Sequence, residues 1–109
     1  MTYTGASLAD GEIPSAKGTI YTSTGVVSLC SKLTLKNKHA VTQTIKIYAM
    51  CPALSGVSVE IGPDIVLETG EAYSMFTKGE THIMSASDEI EAETTTANAV
   101  DFHLSGGTE

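Results

Sequence analysis

This sequence contains no arginine and no tryptophan, has only two cysteines and three prolines, and carries no apolar run approaching the ~18 residues of a membrane span. Each shortage excludes something. Without arginine the chain lacks the side chain best suited to bidentate phosphate or guanine contacts, and six lysines among 13 acids cannot neutralise a row of phosphates. Nucleic acid is therefore not an expected partner, and neither is a membrane. Without tryptophan, a sugar platform built from Tyr21, Tyr48 and Tyr73 has little support. The segment MTYTGASLADGEIPSAKG lacks the basic and apolar regions of a secretion signal, so none is expected.

Chemical signatures are equally scarce. No Ser sits in a G-x-S-x-G elbow, and phosphate loops, dinucleotide fingerprints and CxxC pairs are absent. His39, His82 and His103 lie in separate segments with no ligand-like spacing. The expectation is a chain without catalytic residues, metal ligands or cofactor, and not an enzyme.

What is present is a strand-forming pattern. At 41 % hydrophobic and 17 % charged residues, 109 residues can bury one core and no more. Thr19–Thr22 are strand formers closed by Ser23-Thr24-Gly25. Next, Val27, Leu29, Leu33 and Leu35 share one face of an alternating segment, and Ser28, Cys30, Lys32, Thr34 and Lys36 the other. Ile45, Ile47, Ala49 and Cys51 alternate in turn with Thr44, Lys46, Tyr48 and Met50, which suggests a hairpin of two half-buried strands. Val57, Val59 and Ile61 repeat the pattern, and further strands are expected at residues 65–68, 72–77, 81–84, 89–93 and 99–104. The reading is all-β: an antiparallel two-sheet sandwich, jelly-roll-like, of about eight short strands. Its expected core is Val27, Leu29, Leu33, Leu35, Ile45, Ile47, Val59, Ile61, Leu67, Ile90, Val100, Phe102 and Leu104.

This register sends Cys30 and Cys51 to opposite faces, so both are expected as free thiols. Residues 1–17 show no sustained period and read as an extended N-terminal arm ahead of a sandwich domain at 18–109. Tyr3, Leu8, Ile13 and Pro14 are its candidate anchors on a neighbouring subunit. Glu89, Glu91 and Glu93 share one strand face opposite Ile90 and Ala92, with same-face neighbours about 7 Å apart. They form a solvated or partner-facing stripe. Charge is uneven along the chain: residues 1–58 carry +3 and residues 59–109 carry −10 of the net −7.

The order Ile13-Pro14-Ser15-Ala16-Lys17-Gly18-Thr19-Ile20-Tyr21-Thr22, Leu33-Thr34-Leu35-Lys36-Asn37 and Thr44-Ile45-Lys46-Ile47-Tyr48 resembles small β-sandwich virion structural proteins of tailed bacteriophages. So does the C-terminal run from Ile90-Glu91-Ala92-Glu93 to Ala97–Gly106, although Asp88 stands where a tight-turn glycine is expected. The resemblance implies a non-enzymatic virion component assembled in the host cytoplasm, foremost a capsid decoration (cement) protein. Its implied partners are the major capsid protein or other virion proteins, and its implied state is a homo-oligomer, a trimer above others. A neck or tail-fibre adaptor is the alternative, and a glycan-binding attachment module is the alternative of another class.

Overall fold

The structure is a computed structural model in which residues 4–24, 27–54, 56–75 and 82–108 are described. Among the described residues ten strands follow one another: β1 (Thr4–Glu12), β2 (Gly18–Thr22), β3 (Val27–Asn37), β4 (Gln43–Met50), β5 (Val59–Glu60), β6 (Ile65–Leu67), β7 (Ala72–Met75), β8 (His82–Ser85), β9 (Glu89–Thr94) and β10 (Val100–Thr108). Their pairing is nested. β1 pairs with β10, β2 with β9, β3 with β7 and β8, and β4 with β5 and β6, all antiparallel. Rolling up that long two-stranded ribbon brings β10 against β3 and β9 against β4. The outcome is two five-stranded sheets, β1-β10-β3-β7/β8 and β2-β9-β4-β5/β6, which is the jelly-roll arrangement.

The core lies between the sheets and holds Leu33, Leu35, Ile45, Ile47, Leu67, Ile90, Val100, Phe102 and Leu104, as the alternation requires. It also takes in Ile13, Tyr21, Cys30, Ile65, Met84, Ala92 and Ala99. Buried polar groups are paired. Ser28 Oγ lies 3.0 Å from Tyr21 Oη and 2.8 Å from Ser23 Oγ. Gln43 accepts from Thr94 Oγ1 at 3.2 Å and from the Thr96 N–H at 2.8 Å. The Asn37 amide donates to the carbonyls of Val41 and Leu67, so three loops at one end of the sandwich converge on buried side chains.

Four expectations are corrected. Residues 4–12 do not extend away from the domain but lie along β10 as the edge strand of the first sheet. β1 carries no period-two signal because the strand is made by β10's backbone edge: it has few apolar residues, and its register shifts at Leu8. Second, β3 and β4 are not a hairpin. They sit in opposite sheets, joined by a crossing turn that Asn37 organises by accepting the His39 N–H at 2.8 Å.

Third, the alternation of β3 reverses partway along. The register between β10 and β3 jumps at Ser105/Gly106, leaving Ser31 as an extra residue. Leu33 and Leu35 remain inward, but before the bulge Ser28 and Cys30 are fully buried while Val27 and Leu29 are only half-buried. Gly106 is required at this bulge, since a Cβ there would lie 1.7 Å from the Leu29 carbonyl oxygen. Fourth, Val59 is not in the core but 59 % exposed on the two-residue β5, and Ile61 only packs against the core's margin.

The turn at Asp88 needs no glycine at that position. Ser87 takes the left-handed conformation at φ 71°, and the Asp88 carboxylate closes the turn by accepting the Ser85 N–H at 3.0 Å.

Candidate functional site

The richest cluster of polar side chains lies on the outer face of the second sheet. Antiparallel pairing sets Lys46 opposite Glu93, Tyr48 opposite Glu91 and Met50 opposite Glu89, and Tyr48 also faces Glu60 on its other side. Alternation puts Ile90, Ala92 and Thr94 inward, so Glu89, Glu91 and Glu93 turn out together, half-buried. Each has a donor: Thr19 Oγ1 to Glu89 at 2.5 Å, Ser58 Oγ to Glu91, and Tyr48 Oη to Glu93 at 2.5 Å. The bond to Glu93, with some desolvation, pushes the Tyr48 phenol up to about 12. Lys17 Nζ stands 4.8 Å over the Tyr48 ring, within cation–π range.

At the edge of this face, Glu60 and Asp64 share a hydrogen bond, which raises the Glu60 carboxyl above its usual range ahead of desolvation and the Asp64 charge. Lys46 Nζ is 3.8 Å from Asp64, a long and exposed ion pair. Thr44, Lys46, Glu93, Thr94 and Thr95 line a shallow cleft of about 200 Å³. Sites that enclose a drug-sized ligand run to about 300–1,000 Å³. Among the described residues no three His, Cys, Asp or Glu come together as a metal site, and every buried side-chain N or O has a partner. The face can bind by hydrogen bonding and charge.

The two groups of sequence-derived candidates are not brought together. The three glutamates lie on the second sheet, whereas the arm residues lie on or beside β1. Leu8 is half-buried at the bulge against the core. Ile13 is 0 % exposed, with its N–H donating 2.9 Å to the Val100 carbonyl, so it anchors its own domain. Pro14 is half-buried, and its carbonyl accepts from the Thr94 N–H at 3.0 Å. Tyr3 lies outside the described residues. Lys46 and Tyr48 join the acidic stripe through the β4–β9 pairing, Glu60 through β4–β5, and Asp64 through its contacts with Lys46 and Glu60. The shared outward face of Lys46 and Tyr48 was legible in β4, but the partner strands were not.

A second exposed feature is apolar. Leu54 (83 % exposed), Val57 (64 %), Val59 (59 %) and Val66 (59 %) all lie on the β5–β6 edge or in the loop leading into it. The two cysteines are free thiols: Cys30 is buried beside Met84, its Sγ 3.6 Å from the thioether sulfur, and Cys51 is half-buried at the end of β4. Burial raises the Cys30 thiol to about 11, and burial followed by the Asp88 charge raises Cys51.

No family model matches the chain, and no curated protein matches it. Among solved structures it is similar to a chain of the Bacillus endospore appendages, a novel family of disulfide-linked pili, at TM-score 0.55 and 14 % identity over 99 % of this chain and 90 % of that one. It is also similar to a chain of infectious bursal disease virus, Gt strain, at TM-score 0.46 and 11 % identity over 97 % of this chain and 31 % of that one. At these identities the likeness to the appendage chain is one of fold: an all-β, two-sheet architecture spanning the whole domain.

Proposed function

We propose that this chain is a non-enzymatic structural subunit that works through its surfaces, most concretely a decoration protein on the head of a tailed phage. The observation that carries this reading is the exposed apolar set on the β5–β6 edge, Leu54, Val57, Val59 and Val66. Apolar side chains left exposed along one sheet edge of a small domain suit contact with a partner. The polar face beside it has carboxylates already engaged by hydroxyl donors, which suits recognition. That a protein of the same architecture forms pili supports reading the fold as a building block. The resemblance of residues 13–22, 33–37 and 44–48 to phage virion proteins supplies the finer assignment.

The test is addition of the purified full chain to phage particles lacking it. Co-sedimentation in many copies per particle, with the particles gaining resistance to heat or dilution, is the expected result. Binding in a few copies at one vertex would replace decoration with a neck or tail adaptor. No binding would overturn the virion reading. A glycan-binding module draws on the threonine-lined cleft alone, and the lack of tryptophan for a sugar platform weighs against it.

A further inference from the structure

We propose that β1 is an exchangeable strand: residues 4–10 of one copy swing out about Gly11 and pair along β10 of a second copy, in the register they use within their own domain. This rests on the reading of the chain as an assembling subunit, and it specifies how copies join.

Of residues 7–12 only Leu8 and Ala9 pack against the core, both partly buried, while Ser7, Asp10, Gly11 and Glu12 are exposed. The strand is held chiefly by its backbone ladder to β10, with a long 3.4 Å contact from Ser7 Oγ to the His103 ring. Among residues 7–10 little side-chain packing is lost if the strand leaves.

The residues after it are fixed in place. Ile13 is fully buried and bonded to Val100 in one sheet, and Pro14 is bonded to Thr94 in the other. Glu12 is tied to Lys38, which also reaches Asp101 at 2.8 Å. Between the loosely held strand and this anchor stands Gly11 at φ 147°, a backbone conformation that L side chains rarely adopt. The chain thus has a glycine pivot at the boundary between its weak and strong attachments.

The occupant follows from the seat. With residues 4–10 gone, the outer edge of β10 is an open ladder that only an extended strand fills, and residues 4–10 of any copy match it: Gly5 opposite Gly107, Ser7 opposite Ser105, Ala9 opposite Leu104. Exchange recreates the same contacts between chains, so it costs only the hinge movement and the association itself. Seven extended residues reach about 23 Å, enough to cross to an adjacent domain. The other exposed sheet edges are strands of two to five residues, whereas β1 has nine.

The experiment mixes two full-length chains, one carrying Ser7→Cys and the other Ser105→Cys, both with Cys51→Ser, followed by mild oxidation across a concentration series. Paired Cα atoms in an antiparallel ladder are about 4.5–5.5 Å apart, within disulfide reach. Asp10→Cys with His103→Cys, also a ladder pair, is run in parallel. Placing both cysteines of each pair in one chain at high dilution shows which pair closes. The expected result is a disulfide-linked heterodimer between the two singly substituted chains that rises with concentration and becomes the dominant species. Oligomers without that heterodimer, for a pair that closes within one chain, would overturn strand exchange yet leave the assembly reading standing. Linked Ser7→Cys chains alone would mean that β1 edges meet side by side, which also overturns exchange. Monomers at every concentration would overturn both readings.

Discussion

Cys30 shows how one residue's surroundings depend on a feature several positions away. By simple alternation it faces outward with Lys32 and Thr34, but the extra residue Ser31 turns it into the core beside Met84. Its burial and raised thiol pKa predict unequal reactivity, since the thiolate is the reactive form. Titrating the native protein with an aromatic disulfide reagent should show Cys51 reacting well ahead of Cys30, with both reacting together in denaturant. Equal native rates would place Cys30 at the surface. Glu60 offers a test of a different kind. Its carboxyl is raised by the bond to Asp64, so its contribution to stability is full below the unfolded-state value of about 4.3 and is lost as pH rises through the folded value. Replacing Glu60 with Gln keeps the neutral form at all pH values. The variant should melt higher than the parent at pH 7, and the gap should close as the pH falls to about 4. A gap that widens on acidification would mean that Glu60 is stabilised as a carboxylate.

At the scale of elements, the bulge in β3 divides one strand into two halves of opposite parity. Truncating Leu35 to Ala should cost about 2–5 kcal/mol, as for other core leucines, and Lys36→Ala should be near neutral. Before the bulge the order is reversed. Thermal melts should show an aspartate at Cys30 to be far more damaging than one at Leu29, and equal damage would refute the bulge. Much of this was legible in the sequence. The alternation in β4, β9 and β10, and the turns at Thr69-Gly70, Ser87-Asp88 and Ala97-Asn98, follow from local chemistry that neighbouring strands do not alter. The less legible elements depend on their partners. β1 exists because β10 offers it an edge, and the β3 bulge is set by Gly106, 75 positions after Ser31. The outward glutamates could be read from β9 alone, but their union with Tyr48 and Lys46 required knowing that β4 lies beside β9.

For the whole molecule, nested pairing changes the meaning of the charge pattern. Residues 1–58 carry +3 and residues 59–109 carry −10, which suggests a dipolar molecule. The rolled ribbon instead lays early strands beside late ones, setting Lys36 opposite Asp101, Lys46 opposite Glu93, and Lys38 between Glu12 and Asp101. Charges separated in sequence are thus interleaved in space, and the features left to define partners are the apolar β5–β6 margin, the acidic face and the long β1 edge. On the proposed function these are the surfaces through which copies of this chain assemble. Native mass spectrometry of the full-length protein over a range of concentrations tests it most directly. The expected result is a homo-oligomer, with three copies as the leading species, that falls apart on dilution. A mass of one chain, 11.4 kDa, at every concentration would contradict it.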